Sequence, residues 1–233
     1  MRISVYLKAF WPIYLLFAVL VFLIAQGSSQ SITAWSEEGN RTYGTVIILD
    51  AGHGGEDGGA ISCTGALESQ INLQIALRLR DLFHLLGFET FMTRESDISV
   101  YTQGDTLAAK KVSDLRNRVK MVNETANSVL ISIHQNTFPM EQYYGAQVFS
   151  NKSAVEVAEN LQNVFITTLN SGSHRKNKLG DGIYLLEKIQ QPGVLVECGF
   201  LSNAAEESRL RDAQYQKKIC CVIASVFSSY LAA

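Results

Sequence analysis

Two histidines and two glutamates stand where side chains of these types could assemble a hydrolytic metal site. His53, His134 and Glu197 each come as a short apolar run ends, and Glu68 is an acid between the first two of these runs. Two neutral imidazoles and one carboxylate form a common catalytic zinc set, because three protein ligands leave a fourth position for water. We therefore predict one Zn²⁺ held by His53, Glu68 and His134, with Glu197 as general base and then as acid to the leaving group.

The apolar runs explain how these side chains could meet. Residues 45–49, 129–133 and 194–196 are short, rich in β-branched side chains and bounded by glycine and polar clusters. Such runs are typical of buried strands in a helix-covered sheet, and function in such sheets gathers at the carboxyl ends of the strands. His53, His134 and Glu197 should therefore lie at one edge of the sheet.

Each candidate alone also has a plain structural interpretation. A histidine at a strand end can be a hydrogen-bonded structural residue, and Glu68 could be an acid that favours the positive end of a helix dipole. Glu197 is harder to explain in this way, since a carboxylate directly after an apolar run loses water at a cost on the order of several kcal/mol unless something compensates. The four residues form no local motif such as H-E-x-x-H, so their spacing alone leaves the site open.

The rest of the pattern predicts an α/β layer fold with a mostly parallel, twisted sheet flanked by helices. A stripe of apolar residues at steps of three and four follows Glu68 and stops at Gly87, so Glu68 should begin a helix that leads into a strand over 88–93. Further helices are predicted near 111–126, 152–170 and 204–230. The glycine-rich loop after His53 lacks a phosphate-binding pattern, and we expect its glycines to let the backbone turn tightly round the metal.

Six ordered blocks beyond the N-terminal segment carry a resemblance to a known family. The blocks lie at residues 48–60 continued by 65–68 with Asn72 and Leu73, then at 92–97, 114–118, 131–136, 145–149 and 194–203. With these blocks, the chain over residues 45 to about 230 resembles the zinc-dependent N-acetylmuramoyl-L-alanine amidases. The resemblance places that family's zinc ligands on His53, Glu68 and His134, and its catalytic glutamate on Glu197.

The resemblance implies a peptidoglycan hydrolase that cleaves the amide between the lactyl group of N-acetylmuramic acid and L-alanine of the stem peptide. Within the family, the short chain with one catalytic domain is most similar to the sporulation-specific cortex amidases. These enzymes act before a step that makes muramic-δ-lactam, a mark that spores need for germination. Vegetative cell-separation amidases share the same four site residues and remain an alternative. Two further hypotheses are another zinc hydrolase, such as a carboxypeptidase or amidohydrolase, and a non-enzymatic wall-binding scaffold.

The chain divides by composition into three parts. Residues 1–27 are predicted to be a signal peptide or a signal anchor, because Arg2 and Lys8 flank an uncharged apolar run over 10–25. Residues 28–44 are a linker, and 45–233 form the catalytic domain. The sequence does not decide whether residues 1–27 are cleaved or retained. Either outcome predicts export, and the chain would contact the membrane only if this segment is uncleaved.

A net charge of −2 without a clustered basic face excludes nucleic acid as a partner.

Several other residues bear on binding and regulation. Asn136 lies two residues past His134 on the same side of an extended chain, so we expect it to touch substrate. Only ten residues separate His134 from Gly145, which leaves no room for the helix that blocks the zinc in some separation amidases. This short segment favours control by timing, compartment or a regulatory protein partner.

His84 and His174 should be solvated, and Arg94 and Asp97 should brace a loop. We expect buried thiols among the four cysteines, with a bridge between Cys63 and Cys198 as the alternative.

Overall fold

The computed structural model describes residues 44–232. The predicted signal segment, and all of the predicted linker except Gly44, lie outside the described residues. Among the helices of the described part, none is both long and apolar enough to cross a membrane.

A six-stranded sheet runs through the middle of the domain, in the order β2-β1-β3-β6-β4-β5. β2, β1, β3 and β6 are mutually parallel, whereas β4 runs antiparallel to β6 and parallel to β5. The predicted α/β class with a mostly parallel sheet is therefore confirmed. The strands are β1 Val46–Ala51, β2 Thr90–Met92, β3 Ser128–Asn136, β4 Gln147–Ser150, β5 Lys178–Leu179 and β6 Gly193–Phe200.

Helices cover both faces of this sheet. The helix predicted to begin at Glu68 does begin there, and the helices predicted near 111–126 and 152–170 are present with shifted ends. For instance, Thr106 caps the second helix by accepting a hydrogen bond from the backbone N–H of Ala109 at 3.2 Å, so that this helix begins before residue 111. The helices are α1 Glu68–Leu85, α2 Leu107–Glu124, α3 Val155–Thr168 after a 3₁₀ turn at Lys152–Ala154, α4 Tyr184–Lys188, α5 Ala204–Leu210 and α6 Ala213–Leu231.

The prediction of one helix over 204–230 is wrong, because the chain breaks between α5 and α6. The side chain of Asp212 accepts a hydrogen bond from the backbone N–H of Tyr215 at 2.8 Å and so begins a new helix. The amide of Gln216 donates to the carbonyl oxygen of Leu210 at 2.8 Å, which satisfies one carbonyl at the end of α5. Two capped helices therefore replace the single one expected.

Successive side chains along each strand point to opposite faces of the sheet, so the hydrophobic core forms two clusters, one on each face. Ile47, Ile131 and Val196 belong to the larger cluster, with apolar residues of α1, α3 and α6. Ile48, Leu130 and Leu195 point to the opposite face and pack against apolar residues of α2 and α4 in a smaller cluster. By the same two-residue period, His134 and Glu197 share the face of this smaller cluster.

All four cysteines are free, so the alternative of a bridge between Cys63 and Cys198 is wrong. Cys63 is exposed on the loop before α1, while Cys198 is buried in β6. The expectation of buried thiols holds for Cys198 and Cys220 and fails for Cys63 and Cys221. Cys63 lies on a loop, and Cys221 is exposed because its side chain points in a different direction from that of its helix neighbour Cys220.

Candidate active site

Three side chains that are far apart in sequence converge at the carboxyl edge of the sheet. His53 follows β1, Glu68 is the first residue of α1, and His134 lies near the end of β3. Their ligand atoms all lie within 4.8 Å of one another, and among residues 44–232 this is the one group of three such side chains that could hold a metal ion. The structure therefore brings together the three residues that the sequence predicts as ligands.

The carboxylate of Glu68 lies between the two imidazoles. Its Oε1 is 3.0 Å from Nδ1 of His134, and its Oε2 is 3.3 Å from Nε2 of His53. Burial raises the pKa of Glu68, but hydrogen bonds with the two histidines outweigh burial and hold that pKa well below its usual range. Glu68 is therefore ionised although it is only 3% exposed. An ionised carboxylate is the form that can bind a cation.

Backbone and side-chain donors fix the orientation of this carboxylate. The backbone N–H of Ala60 donates to Oε2 at 2.9 Å, and that of Gln135 donates to Oε1 at 3.1 Å. Asn72, one turn along α1, donates to Oε1 at 3.1 Å and also to the carbonyl oxygen of Gly52 at 3.2 Å. Asn72 thus ties Glu68 to the loop that carries His53. Its place four residues after Glu68, on the same helix face, is the sequence signal for this role.

His53 is held in an unusual backbone conformation, with φ of 60°. Its Nδ1–H donates to Asp57 at 2.9 Å, which leaves Nε2 facing Glu68. Burial lowers the pKa of His53, but the hydrogen bonds to Glu68 and Asp57 raise it to about 9. A carboxylate on the far nitrogen of a histidine ligand is a common way to fix its tautomer and ring orientation.

A buried ion pair between Arg118 and Asp50 holds the loop that carries His53. Arg118, which is 2% exposed, contacts Asp50 with its Nη1 at 2.5 Å from Oδ1. Its Nη2 donates to the carbonyl oxygen of His53 at 2.8 Å. Burial raises the pKa of Asp50, but the charge of Arg118 and a hydrogen bond from Ser132 lower it to about 2. The sequence did not single out either Asp50 or Arg118 for this role.

Arg94 and Asp97 brace the same loop, as predicted. Arg94 donates to the carbonyl oxygens of Ala51 at 2.8 Å and Gly52 at 3.0 Å. Asp97 accepts from the backbone N–H of Gly55 at 3.0 Å. The glycines make close approach possible, since a Cβ at Gly52 would overlap the imidazole of His134.

Glu197 lies beside the histidine pair with an oxygen that has no partner. In the parallel register of β3 and β6, Glu197 stands opposite His134. Its Oε2 is buried and makes no hydrogen bond, and burial raises the pKa of Glu197 to about 7. A carboxylate in this state can take a proton near neutral pH and give it back.

The other polar residues considered in the sequence lie beside these four residues, as Asn136 does, or elsewhere on the surface, as His84 and His174 do. Asn136 ends β3 on the side of His134 and is half-buried. His84 and His174 are exposed, as predicted, with His84 near the end of α1 and His174 in the loop before β5. The segment between β3 and β4 contains turns and no helix, so no helix from that segment covers the site.

A cavity of about 350 Å³ opens on the α2 and α4 side of the two histidines. Leu115, Ile183 and Leu195 form apolar parts of its wall, while Lys111 and Asp114 are charged groups among its lining. Lys111 also contacts Asp57 at 2.9 Å. The cavity therefore offers both apolar and charged surface beside the candidate metal ligands.

The fold is α/β, with a His-Glu-His group and Glu197 at one edge of its sheet. Residues 47–226 match the family described as N-acetylmuramoyl-L-alanine amidase, so the chain belongs to that family and is a peptidoglycan amidase. The resemblance predicted from the sequence is confirmed.

One curated amidase and two amidases of known structure are similar to this chain over most of its length. The chain is 37% identical to the germination-specific N-acetylmuramoyl-L-alanine amidase of Bacillus subtilis (strain 168), over 93% of this chain and 92% of that one. It also matches the CwlD amidase of Clostridioides difficile, solved in complex with the GerS lipoprotein, with 38% identity and a TM-score of 0.77 over 81% of this chain and 98% of that chain. The amidase AmiC2 of Nostoc punctiforme is 25% identical, with a TM-score of 0.71 over 81% of this chain and 98% of that one.

Proposed function

We propose that this chain is a zinc-dependent amidase that hydrolyses the bond between the lactyl group of N-acetylmuramic acid and L-alanine of the stem peptide. The observation that carries the proposal is the position of Glu197. Its Oε2 is buried without a hydrogen-bond partner, and Glu197 stands opposite His134 at the edge where three potential metal ligands meet. Membership of the amidase family supplies the bond that this arrangement would cleave.

The residues present fit a single Zn²⁺. Two imidazole nitrogens and one buried carboxylate are a common donor set for catalytic zinc, which binds nitrogen at about 2.0–2.1 Å and carboxylate oxygen at about 2.0–2.2 Å. His53, Glu68 and His134 would hold the ion. When bound, it supplies Lewis-acid polarisation of the substrate carbonyl and a lowered pKa for the attacking water.

Glu197 would move the proton in this reaction. As a carboxylate it takes a proton from the attacking water, and as a carboxylic acid it passes the proton to the amine nitrogen of the departing L-alanine. In the metal-free protein burial raises the pKa of Glu197 to about 7, and a raised carboxyl pKa is typical of groups that act as both base and acid. Asn136, half-buried at the end of β3, would contact the substrate next to the cleaved bond.

The proposed substrate is the spore cortex, where removal of stem peptides would be the first step toward muramic-δ-lactam. The germination-specific relative supports this choice, because the match covers nearly the whole of both chains. Since peptidoglycan lies outside the cytoplasmic membrane, we propose that residues 1–27 direct export as a signal peptide or anchor, with the space between the forespore membranes as the destination.

A protein partner is part of this proposal. The amidase from Clostridioides difficile was solved with the GerS lipoprotein bound, and this chain has no blocking helix between β3 and β4. Control by a separate protein would replace control by such a helix.

The test is digestion of purified cortex and vegetative peptidoglycan by the zinc-loaded full-length chain, with mass spectrometry of the products. Release of whole stem peptides that begin at L-alanine supports the amidase, and faster release from cortex supports the sporulation role. Equal release from both walls would favour a vegetative cell-separation amidase. Loss of terminal amino acids alone would indicate a zinc carboxypeptidase, and zinc binding without any release would indicate a missing partner or a different substrate. The Glu197→Gln variant is the matched control, since it keeps the size of the side chain and removes the base.

A further inference from the structure

The segment between β3 and β4 exposes a cluster of large apolar side chains. Because β4 runs antiparallel to β6, the segment begins and ends at the sheet edge that carries the candidate metal ligands. We call residues 137–145 the aromatic loop. Its exposed apolar side chains are Phe138 at 43%, Met140 at 45%, Tyr143 at 36% and Tyr144 at 42%. Single exposed apolar residues are ordinary, but a group of four beside a site marks a binding surface.

Hydrogen bonds from other elements hold this loop in place. Four bonds anchor its backbone, and each involves a group outside the loop. They run from Phe138 N to Ser202 Oγ at 3.0 Å, from Asn203 Nδ2 to Glu141 O at 2.7 Å, from Arg175 Nε to Tyr144 O at 2.9 Å, and from Gly145 N to Glu206 Oε2 at 2.8 Å. The rings are thus presented on a fixed backbone, which lowers the entropy cost of binding.

The rings also connect to the candidate active site. Phe138 packs edge-to-face on Tyr143 with centroids 4.8 Å apart, and Tyr143 lies 6.4 Å from the ring of Phe200. Phe200 is three residues after Glu197 and pairs with Asn136 in the sheet. Phe200 is buried, so ring contacts join the exposed side chains of the loop to the strands that carry the proposed base and the second histidine.

The surface carries little charge, which restricts the class of ligand. Glu141 is the one acid among residues 137–145, and the guanidinium of Arg175 lies over the ring of Phe200 at 4.5 Å. Sugar rings present uncharged C–H faces that pack on aromatic side chains, with polar groups at their edges. By contrast, the charged side chains of Lys111 and Asp114 line the cavity beside α2.

We propose that the aromatic loop binds the glycan strand of the wall, so that the stem peptide lies in the cavity beside α2. This inference rests on the proposed function, because the cleaved amide joins a sugar to a peptide. Phe138 would be a substrate-binding residue for the sugar side and would leave the proton transfer by Glu197 unaffected.

The experiment measures binding and turnover separately. Binding of peptide-free glycan strands, which hold no cleavable amide, is measured with the wild-type chain and with Phe138→Ala, Phe138→Trp and Phe91→Ala. Phe91 is a matched control, since it is 41% exposed but lies on β2, the edge strand next to β1 and distant in sheet order from the aromatic loop. Turnover is measured on intact peptidoglycan and on a sugar-free lactyl-L-alanyl peptide, and thermal unfolding checks that each variant folds.

We expect Phe138→Ala to weaken glycan binding about tenfold and to raise KM for intact peptidoglycan with kcat unchanged. The same variant should cleave the sugar-free peptide like the wild type, Phe138→Trp should restore binding, and Phe91→Ala should have no effect. Undiminished glycan binding by Phe138→Ala would overturn the inference, as would a loss confined to binding of a protein partner. The two proposals can also fail separately. If the wild-type chain cleaves none of the substrates but binds glycan, and Phe138→Ala loses that binding, the proposed reaction is contradicted while glycan binding by the aromatic loop is supported.

Discussion

The guanidinium of Arg118 binds the backbone of a candidate metal ligand, since its Nη2 donates to the carbonyl oxygen of His53 at 2.8 Å. The same guanidinium pairs with buried Asp50, so the end of β1 and the loop after it are held by one side chain of α2. This contact links the stability of the core to the geometry of the candidate site.

Replacing Arg118 should therefore damage both stability and metal binding. We expect Arg118→Met to lower the free energy of unfolding by about 3–5 kcal/mol, because it leaves Asp50 buried without its partner. Chemical denaturation and zinc titration measure the two effects. Arg116→Met is the control on the same helix, since Arg116 is exposed, and similar losses in both variants would contradict a specific role for Arg118.

Asp57 should matter for metal affinity more than for folding. Its carboxylate accepts the Nδ1–H of His53 and is only half-buried, so Asp57→Asn should weaken zinc binding about 10–100-fold with a small change in unfolding temperature. Competition with a chelator gives the affinity. Its neighbour Glu56 is exposed and pairs with Lys110, so Glu56→Gln should bind zinc like the wild type. An Asp57→Asn variant with unchanged affinity would show that His53 needs no such partner.

A methyl group at Gly52 should displace His134. The added Cβ would overlap the imidazole, so we expect Gly52→Ala to lose zinc binding and turnover together. At Gly44 an added Cβ meets only the side chain of Asn127 at 3.8 Å, an ordinary contact, and Gly44→Ala should behave like the wild type. Metal analysis of the two purified proteins distinguishes them, and full zinc content in Gly52→Ala would mean that the ring can move without loss.

Much of this arrangement could be predicted from the sequence. The strands that end near His53, His134 and Glu197 follow from apolar runs, and α1 follows from the stripe that begins at Glu68. Because parallel strands share a carboxyl edge, their end residues lie along that edge.

The supporting contacts were harder to predict, because they join residues that are distant in sequence. Arg118 is buried in a helix whose remaining charged residues are mostly exposed, so periodicity does not distinguish it. One signal was present, since Asp50 follows an apolar run just as Glu197 does, and a buried acid needs a partner. The break between α5 and α6 depends on the cap at Asp212, which is a single polar residue inside an otherwise helical pattern.

The pKa of Glu197 predicts how stability depends on pH in the metal-free protein. An acid whose pKa rises from 4.5 to about 7 on folding binds its proton more tightly in the folded state. Its contribution is therefore fully present below about pH 4.5 and is lost as the pH rises through 7. Glu197→Gln cannot ionise, so relative to the wild type it should gain up to about 3 kcal/mol between these pH values.

Denaturation of both metal-free proteins across this pH range measures the difference. Glu124→Gln is a suitable control because its side chain is 66% exposed. A constant difference between wild type and Glu197→Gln would contradict the raised pKa.

The most direct test of the account compares zinc content and stem-peptide release for the wild type, Glu197→Gln and His53→Ala under one set of conditions. We predict one zinc per chain in the wild type and in Glu197→Gln, with release slower by at least about 10²-fold in that variant. His53→Ala should lack both zinc and activity. Release by Glu197→Gln at the wild-type rate would contradict the assignment of Glu197 as the base, and full zinc content in His53→Ala would contradict the ligand set.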